Sequence, residues 1–239
     1  MLRVRHGARS APGKHTALPS LNMDVIDAVN KRLSVRSFLP TPVDPEVLRQ
    51  LVTDASRSPS AGNVQPWRIY VLDADGTRRM REYLATKPPV EPAEFDMYPP
   101  ELGEPYRTNR FAIGEQMYAK LGISRDDKAA RFAQMAKNTD FFGAPAAIYC
   151  FVDRCMGAAQ WADLGMYLQT LMLLAVDRGL GTCPQLFWSL QHRAVSTFCN
   201  APKNEMLYCG VSIGYVDETE PVNTLRSERM PFDQFARFV

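Results

Sequence analysis

The sequence lacks the motifs that most nucleotide- and metal-dependent enzymes carry. It has no GxGxxG, no HExxH and no phosphate-binding P-loop, and the nearest approach, Gly179–Gly181, follows a predicted helix instead of opening one. A Rossmann-type nicotinamide site is therefore disfavoured. Only three histidines occur, two of them within the first 22 residues, and the five cysteines include no CxxC pair. We therefore expect no metal site.

Long apolar runs and a uniform excess of one charge are also missing. No stretch approaches the roughly 18 apolar residues of a spanning helix, so we expect no membrane association. The odd cysteine count and the lack of a secretory signal favour reduced thiols and a cytoplasmic location. Beyond residue 22 the chain has 24 basic and 26 acidic residues. A nucleic-acid partner is excluded, because it would need a basic stripe on the folded body.

The first 22 residues differ from the rest of the chain. They contain four basic residues and no acidic one, mix Gly, Pro and Ser, and show no hydrophobic periodicity. We interpret residues 1–22 as a flexible N-terminal extension, with Met23 as an alternative start. A transit peptide is less favoured, because no amphipathic face is evident. Residues 23–239 are expected to form a single domain.

The hydrophobic pattern predicts helices and strands in mixed order, which is typical of an α+β or α/β fold. Helices are predicted at about 25–33, 45–55, 77–84, 114–121, 126–137, 158–178 and 190–198, and strands at 67–72, 146–152 and 206–216. Residues 87–142 are crowded with prolines and aromatics at their start, and we expect them to form a lid-like insertion.

A short segment after the first predicted helix concentrates positive charge. If the chain is extended there, Arg32, Ser34 and Arg36 point to the same side, because side chains alternate along a strand. Two guanidinium groups and a hydroxyl that converge in this way suit a phosphate or a carbonyl-rich heterocycle. Taken alone, a solvated basic turn is the simpler interpretation.

Two further segments could contact a ligand. The run SPSAGNVQPW combines small residues, which allow close approach of the backbone, with the polar side chains of Ser60, Asn63 and Gln65. The run RSERMP adds Arg226 and Arg229 near the end of the chain. Taken alone, a polar loop and exposed surface charge are the alternatives.

In this order and spacing, the segments resemble a known family. The runs RLSVRSF and SPSAGNVQPW, a late strand ending in IGY and the closing RSERMP resemble the FMN-dependent nitroreductases from about residue 23 onward. The aromatic insertion and the helix DLGMYLQTLMLLA look most similar to bacterial nitrobenzoate and nitroaromatic-herbicide reductases. The resemblance implies an α+β fold with a central mixed sheet flanked by helices. It also implies an intertwined homodimer with FMN sites at the interface.

The resemblance further implies which residues bind FMN. They fall into groups along the chain, namely Arg32, Ser34 and Arg36; Pro59, Ser60, Ala61, Asn63 and Gln65; Cys183, Pro184 and Gln185; and Arg226 and Arg229. The arginines would hold the phosphate, and the second group would come from the other protomer. The third group lies in a predicted turn, residues 182–185, whose backbone would face the flavin ring.

The activity implied is a ping-pong reduction of nitroaromatic compounds. NADH or NADPH would give a hydride to flavin N5 and leave, and a nitroaromatic would then be reduced to nitroso, hydroxylamine or amine products. Because the flavin carries the redox chemistry, we expect no covalent catalytic residue. Four aromatic residues are candidates for contact with the substrate, namely Tyr98, Phe111, Tyr118 and Trp188. Core packing is the alternative for most aromatics of the insertion.

Other functions remain open on the same scaffold. Reductive dehalogenation, quinone or flavin reduction and flavin fragmentation are different flavin reactions, and a non-enzymatic flavin-binding protein is a further alternative. The residues do not choose between NADH and NADPH, nor do they name the physiological substrate.

Overall fold

The computed structural model describes residues 22–239, so the expectation for residues 1–21 lies outside the described residues. The helices are α1 (Val25–Lys31), α2 (Pro45–Ala55), α3 (Ala74–Leu84), α4 (Tyr106–Lys120), α5 (Lys128–Ala136), α6 (Ala158–Asp177), α7 (His192–Phe198) and α8 (Phe232–Phe235). The strands are β1 (Trp67–Leu72), β2 (Ala146–Asp153), β3 (Gly181–Gln185) and β4 (Glu205–Gly214). Short 3-10 turns lie at Ala61–Asn63, Phe141–Gly143, Leu186–Gln191 and Pro221–Thr224.

The four strands form one sheet in the order β1-β2-β4-β3, and every neighbouring pair is antiparallel. β2 is buried along almost its whole length, which explains its continuous apolar sequence. The α+β fold with a central sheet flanked by helices is confirmed. Within residues 22–239 the only parallel pairing is an isolated bridge between Ser34 and Thr182, so the mixed character of the sheet rests on that contact.

Helices cover both faces of the sheet. On one face, α2 and α6 bury Leu51, Leu164 and Leu171 against the strands, following the spacing of an amphipathic helix. On the other face, α3 and the turn at Phe141–Gly143 bury Met80 and Phe141. No helix within residues 22–239 is both long enough and apolar enough to cross a membrane.

Two predicted elements near the candidate residues differ from the structure. Residues 182–185 form most of β3 and pair with β4 as far as Gln185 opposite Gly210, so the predicted turn is wrong. A five-residue strand is too short to show alternation of apolar and polar side chains, and a proline within it is typical of a turn. The helix predicted at 114–121 is α4, which begins earlier, at Tyr106. Its start was missed because α4 has no buried residue and hence no apolar period in its sequence.

Close packing of Trp188 against β4 gives a stability prediction. A Cβ atom at Gly210 would lie 2.2 Å from Cδ1 of Trp188, whose indole is fully buried. Because neither backbone nor indole can move freely, we expect Gly210→Ala to lower the free energy of unfolding by about 1–3 kcal/mol. Gly114→Ala is the control, since no atom lies within 4 Å of that Cβ. Equal denaturation midpoints for the two variants would contradict this packing.

Candidate functional site

The segment after α1 is extended and lies beside β3. The backbone N–H of Val35 donates to the carbonyl of Thr182 at 2.9 Å, and the Val35 side chain enters the core. Arg32, Ser34 and Arg36 therefore face the opposite way, and all three line one cavity of about 310 Å³. The predicted alternation is confirmed.

Asn223 brings the C-terminal arginines to the same cavity. Its carboxamide oxygen accepts from the backbone N–H of Arg36 at 2.9 Å, and its Nδ2 donates to the carbonyls of Ser37 and Asp217, each at 2.8 Å. This contact spans 187 residues of sequence and fixes the chain just before Arg226. The cavity, called here the arginine cavity, is lined by Val29, Asn30, Arg32, Leu33, Ser34, Arg36, Ile113, Leu225, Arg226, Ser227 and Arg229.

The arginine cavity carries positive charge, and no acidic residue within residues 22–239 lines it. Within residues 22–239, no carboxylate forms an ion pair with Arg32, Arg36, Arg226 or Arg229. Arg36 and Arg229 donate only to nearby carbonyl and hydroxyl oxygens. Partial burial, followed by repulsion from Arg229 and Arg226, lowers the pKa of Arg32. Like charges held together in this way favour the binding of an anion.

A second cavity of about 220 Å³ adjoins the first, and Arg36 lines both. This α5 cavity is bounded by β3, α4 and α5, and its lining is Arg36, Met117, Tyr118, Gln134, Met135, Asn138, Phe142, Cys183 and Pro184. Burial raises the pKa of the Cys183 thiol to about 11, although Arg36 and Arg32 oppose the shift. The thiol is therefore neutral at pH 7. Together the two cavities make an elongated site with a cationic end and an end of mixed polarity, where Met117, Met135 and Phe142 lie beside Gln134 and Asn138.

The loop Pro59–Gln65 lies elsewhere in the chain. None of its residues lines either cavity. The loop is held on α6, where both carboxylate oxygens of Asp163 accept from the backbone N–H of Ala61 at 3.3 Å. Three of its residues, Gly62, Asn63 and Gln65, have left-handed backbone angles with φ between 50° and 59°. One chain alone therefore does not bring this loop to the arginines.

Two predicted contacts point into the core. The Oε1 of Gln185 accepts from Ser212 at 2.6 Å and from Nε1 of Trp188 at 3.3 Å. Its Nε2 donates to the main-chain and side-chain oxygens of Asn138. With these groups occupied and 3% of the residue exposed, the Gln185 side chain has nothing left to offer a cofactor. Trp188 is 0% exposed, so its predicted contact with a substrate is wrong.

Of the insertion aromatics predicted to meet a substrate, one lies at the site. Tyr118 lines the α5 cavity, whereas Tyr98 and Phe111 are exposed and line neither cavity. Gln134 and Asn138 also line this cavity, and neither was predicted from the sequence. The sequence held one signal for them. Residues 131, 134 and 138 follow the spacing that places side chains on one face of a helix.

A serine in β4 matches a hydrolase pattern without its geometry. Gly210–Gly214 reads GxSxG, which in hydrolases places a nucleophilic serine on a sharp strand-to-helix turn. Ser212 instead lies inside a strand, is fully buried and lines neither cavity. No group of three metal-ligating side chains lies together within residues 22–239.

Comparison with known proteins connects this geometry to a family. The model of the nitroreductase family matches residues 29–215. Nitrobenzene nitroreductase from Ectopseudomonas oleovorans is 34% identical over 217 residues, which are 89% of this chain and 96% of that protein. The 4-nitrobenzoate reductase from Pseudomonas putida is 34% identical over 92% of this chain and 98% of that protein.

Solved structures agree with the sequence relatives. The FMN and NADPH-dependent nitroreductase NfnB from Sphigopyxis sp. strain HMH superposes with a TM-score of 0.85 at 36% identity, covering 91% of this chain and 99% of that one. The FMN-dependent NfnB from Mycobacterium smegmatis, in complex with NADPH, gives 0.83 at 29% identity, covering 89% and 96%. From the family match and these full-length relatives, the chain belongs to the nitroreductase family.

Proposed function

We propose that the protein is an FMN-dependent oxidoreductase that uses NADPH or NADH to reduce nitroaromatic compounds. The observation that carries the proposal is the arginine cavity, which adjoins the α5 cavity and whose four guanidinium groups have no acidic partner within residues 22–239. Relatives of nearly the same length are named for reducing nitrobenzene and 4-nitrobenzoate. Two similar structures are named as FMN-dependent enzymes, one of them bound to NADPH.

The donor set fits FMN. A phosphate that is close to a dianion calls for several positive donors, and the repulsion that lowers the pKa of Arg32 is relieved when an anion lies among the arginines. Arg32, Ser34, Arg226 and Arg229 would hold the phosphate. The α5 cavity would receive one edge of the flavin ring, with the backbone of residues 183–184 along its wall.

The side chains of the protein would bind FMN, orient it and polarise its ring. When bound, FMN supplies a ring that accepts and donates hydride. Arg36 lies where the two cavities meet, so its charge favours negative charge that develops at the ring end. Met117 and Phe142 supply apolar wall to the α5 cavity. The neutral thiol of Cys183 adds no charge and serves as wall.

We further propose that the site is shared between two copies of the chain. The loop Pro59–Gln65 lies away from the arginines of its own chain, so it would reach the cofactor held by a second protomer. Apolar surface supports such an assembly. Val25 and Ile26 on α1 and Phe232 and Phe235 near the C-terminus are more than half exposed in the single chain, and burial against a second copy would cover them.

We assign the protein to the cytoplasm, because all five cysteines are unpaired thiols.

The absorption spectrum of the purified protein tests the proposal. We expect the visible absorption of oxidised flavin, its loss on anaerobic addition of NADPH or NADH, and its return on addition of nitrobenzene. A protein that takes up no FMN would contradict the cofactor assignment. A flavin that NADPH and NADH leave oxidised would favour a non-enzymatic role. Reoxidation by an iodotyrosine but not by a nitroaromatic would favour dehalogenation.

A further inference from the structure

Helix α4 is weakly attached to the rest of the protein. None of its fifteen residues is buried, so little apolar surface holds it in place. Within residues 22–239, the pair of Glu115 on α4 and Arg131 on α5 is the only hydrogen-bonded or ionic link from an α4 side chain to another helix or strand. A helix attached in this way opens locally at low free-energy cost unless that link holds.

The link between the two helices has the geometry of a strong ion pair. Arg131 donates from Nη1 and Nη2 to the two carboxylate oxygens of Glu115 at 2.6 and 2.8 Å, and from Nε to the carbonyl of Ser124 at 3.0 Å. The side chains are 19% and 32% exposed, so water screens the pair less than a surface pair. All three nitrogens of the guanidinium thus donate to α4 or to the loop that follows it.

The same guanidinium holds an aromatic ring at the site. Its Cζ lies 4.1 Å from the ring centroid of Tyr118, which is one turn beyond Glu115 on the same face of α4. Tyr118 in turn lines the α5 cavity. Arg131 therefore holds the ring of a residue that lines the cavity. Glu115, Tyr118 and Arg131 are called here the α4 clamp.

From these contacts we infer that Arg131 is a positioning residue that sets substrate size. By fixing Tyr118 and the distance between α4 and α5, it limits the slot open to an aromatic ring and favours single-ring nitroaromatics over fused-ring ones. This inference rests on the proposed function. The phosphate of a bound FMN would lie among the arginines at the other end of the site, so loss of the clamp should raise KM for the substrate more than it weakens FMN binding.

The test compares nitrobenzene with 1-nitronaphthalene in the FMN-loaded enzyme. For Arg131→Gln we expect kcat/KM for nitrobenzene to fall about tenfold, mainly through KM, because the contacting ring is misplaced. For 1-nitronaphthalene we expect no fall. Arg131→Lys, which keeps the charge but loses the planar fork, should lie between wild type and Arg131→Gln. Arg110→Gln is the matched control. The Cζ of Arg110 lies 3.9 Å from the ring centroid of exposed Tyr98, and neither residue lines a cavity of the site.

A double variant shows whether Arg131 acts through Tyr118. If it does, the ratio of kcat/KM for nitrobenzene to kcat/KM for 1-nitronaphthalene should be nearly the same in the double variant Arg131→Gln/Tyr118→Leu as in Tyr118→Leu alone. Independent, additive losses would overturn the positioning role. An equal fall in kcat/KM for both substrates would overturn the size limit.

Hydrogen exchange separates failure of the clamp from failure of the proposed function. We expect amides of residues 106–120 to exchange about tenfold faster in Arg131→Gln than in wild type, in protein with or without FMN. Exchange in Arg110→Gln should match wild type. Unchanged exchange in Arg131→Gln would contradict the clamp even in an active enzyme. Faster exchange in a chain that binds no flavin would leave the clamp intact and reject the function.

Discussion

Replacing Arg32 and Arg36 together by alanine is expected to give a colourless protein. Both side chains line the arginine cavity, and no acidic group within the described residues competes for them. A hydrogen bond to a charged group contributes about 1.5–3 kcal/mol, so losing two should weaken FMN binding by roughly 10²- to 10⁴-fold. Fluorescence titration of the apoprotein with FMN measures the change.

Riboflavin distinguishes loss of the phosphate site from general damage. Riboflavin lacks the phosphate that Arg32 would hold and keeps the ring that Arg36 would face, so its affinity should fall at least about tenfold less than that of FMN in the double variant. Arg49→Ala with Arg78→Ala is a matched control, since both arginines lie on exposed helix surfaces. Retention of FMN at wild-type affinity by Arg32→Ala/Arg36→Ala would reject the phosphate assignment.

Mixing two defective chains is expected to restore FMN binding. Ala61→Trp places an indole on the exposed loop that we propose enters the partner's site, and it should block that site in the homodimer. Arg32→Ala/Arg36→Ala disables the same site from its other side. A hybrid dimer then has one site with both defects and one with neither. Random reassembly of equal amounts makes half the dimers hybrid, so about a quarter of all sites should bind FMN.

The result depends on which chain supplies the loop. If the loop served the arginines of its own chain, every site in the hybrid would carry one defect, and mixing would restore nothing. Each variant refolded alone is the control and should remain free of FMN. Recovery measured as flavin absorbance per chain after gel filtration therefore decides between a shared site and a separate one.

A site residue was predictable from the sequence where it depends on its neighbours in sequence, and was not where it depends on a residue far along the chain. Arg32 and Arg36 were predictable together, because strand alternation is local. The contact of Arg36 with Asn223 was not, since its two groups lie far apart in sequence. Gln185 shows the opposite case. The family resemblance implied that its segment faces the flavin, but nothing in the sequence indicated that Ser212 and Asn138 satisfy its side-chain amide inside the protein.

The fold was predictable wherever burial left a periodic pattern. Both β2 and α6 were found close to their bounds because they are buried on defined faces. The first turns of α4 were missed because no side chain there meets the core. Gln134 and Tyr118 became candidates for one site only when α4 and α5 were seen side by side.

The bond between Asn223 and the backbone of Arg36 has a consequence for the order of events in the cell. A nascent chain that has not yet delivered residue 223 from the ribosome lacks the group that fixes the arginine segment. The C-terminal arginines follow that residue by only a few positions. Capture of the prosthetic group would therefore wait until residues 223–229 have left the ribosome, because the arginine segment after α1 is neither fixed nor complete before then.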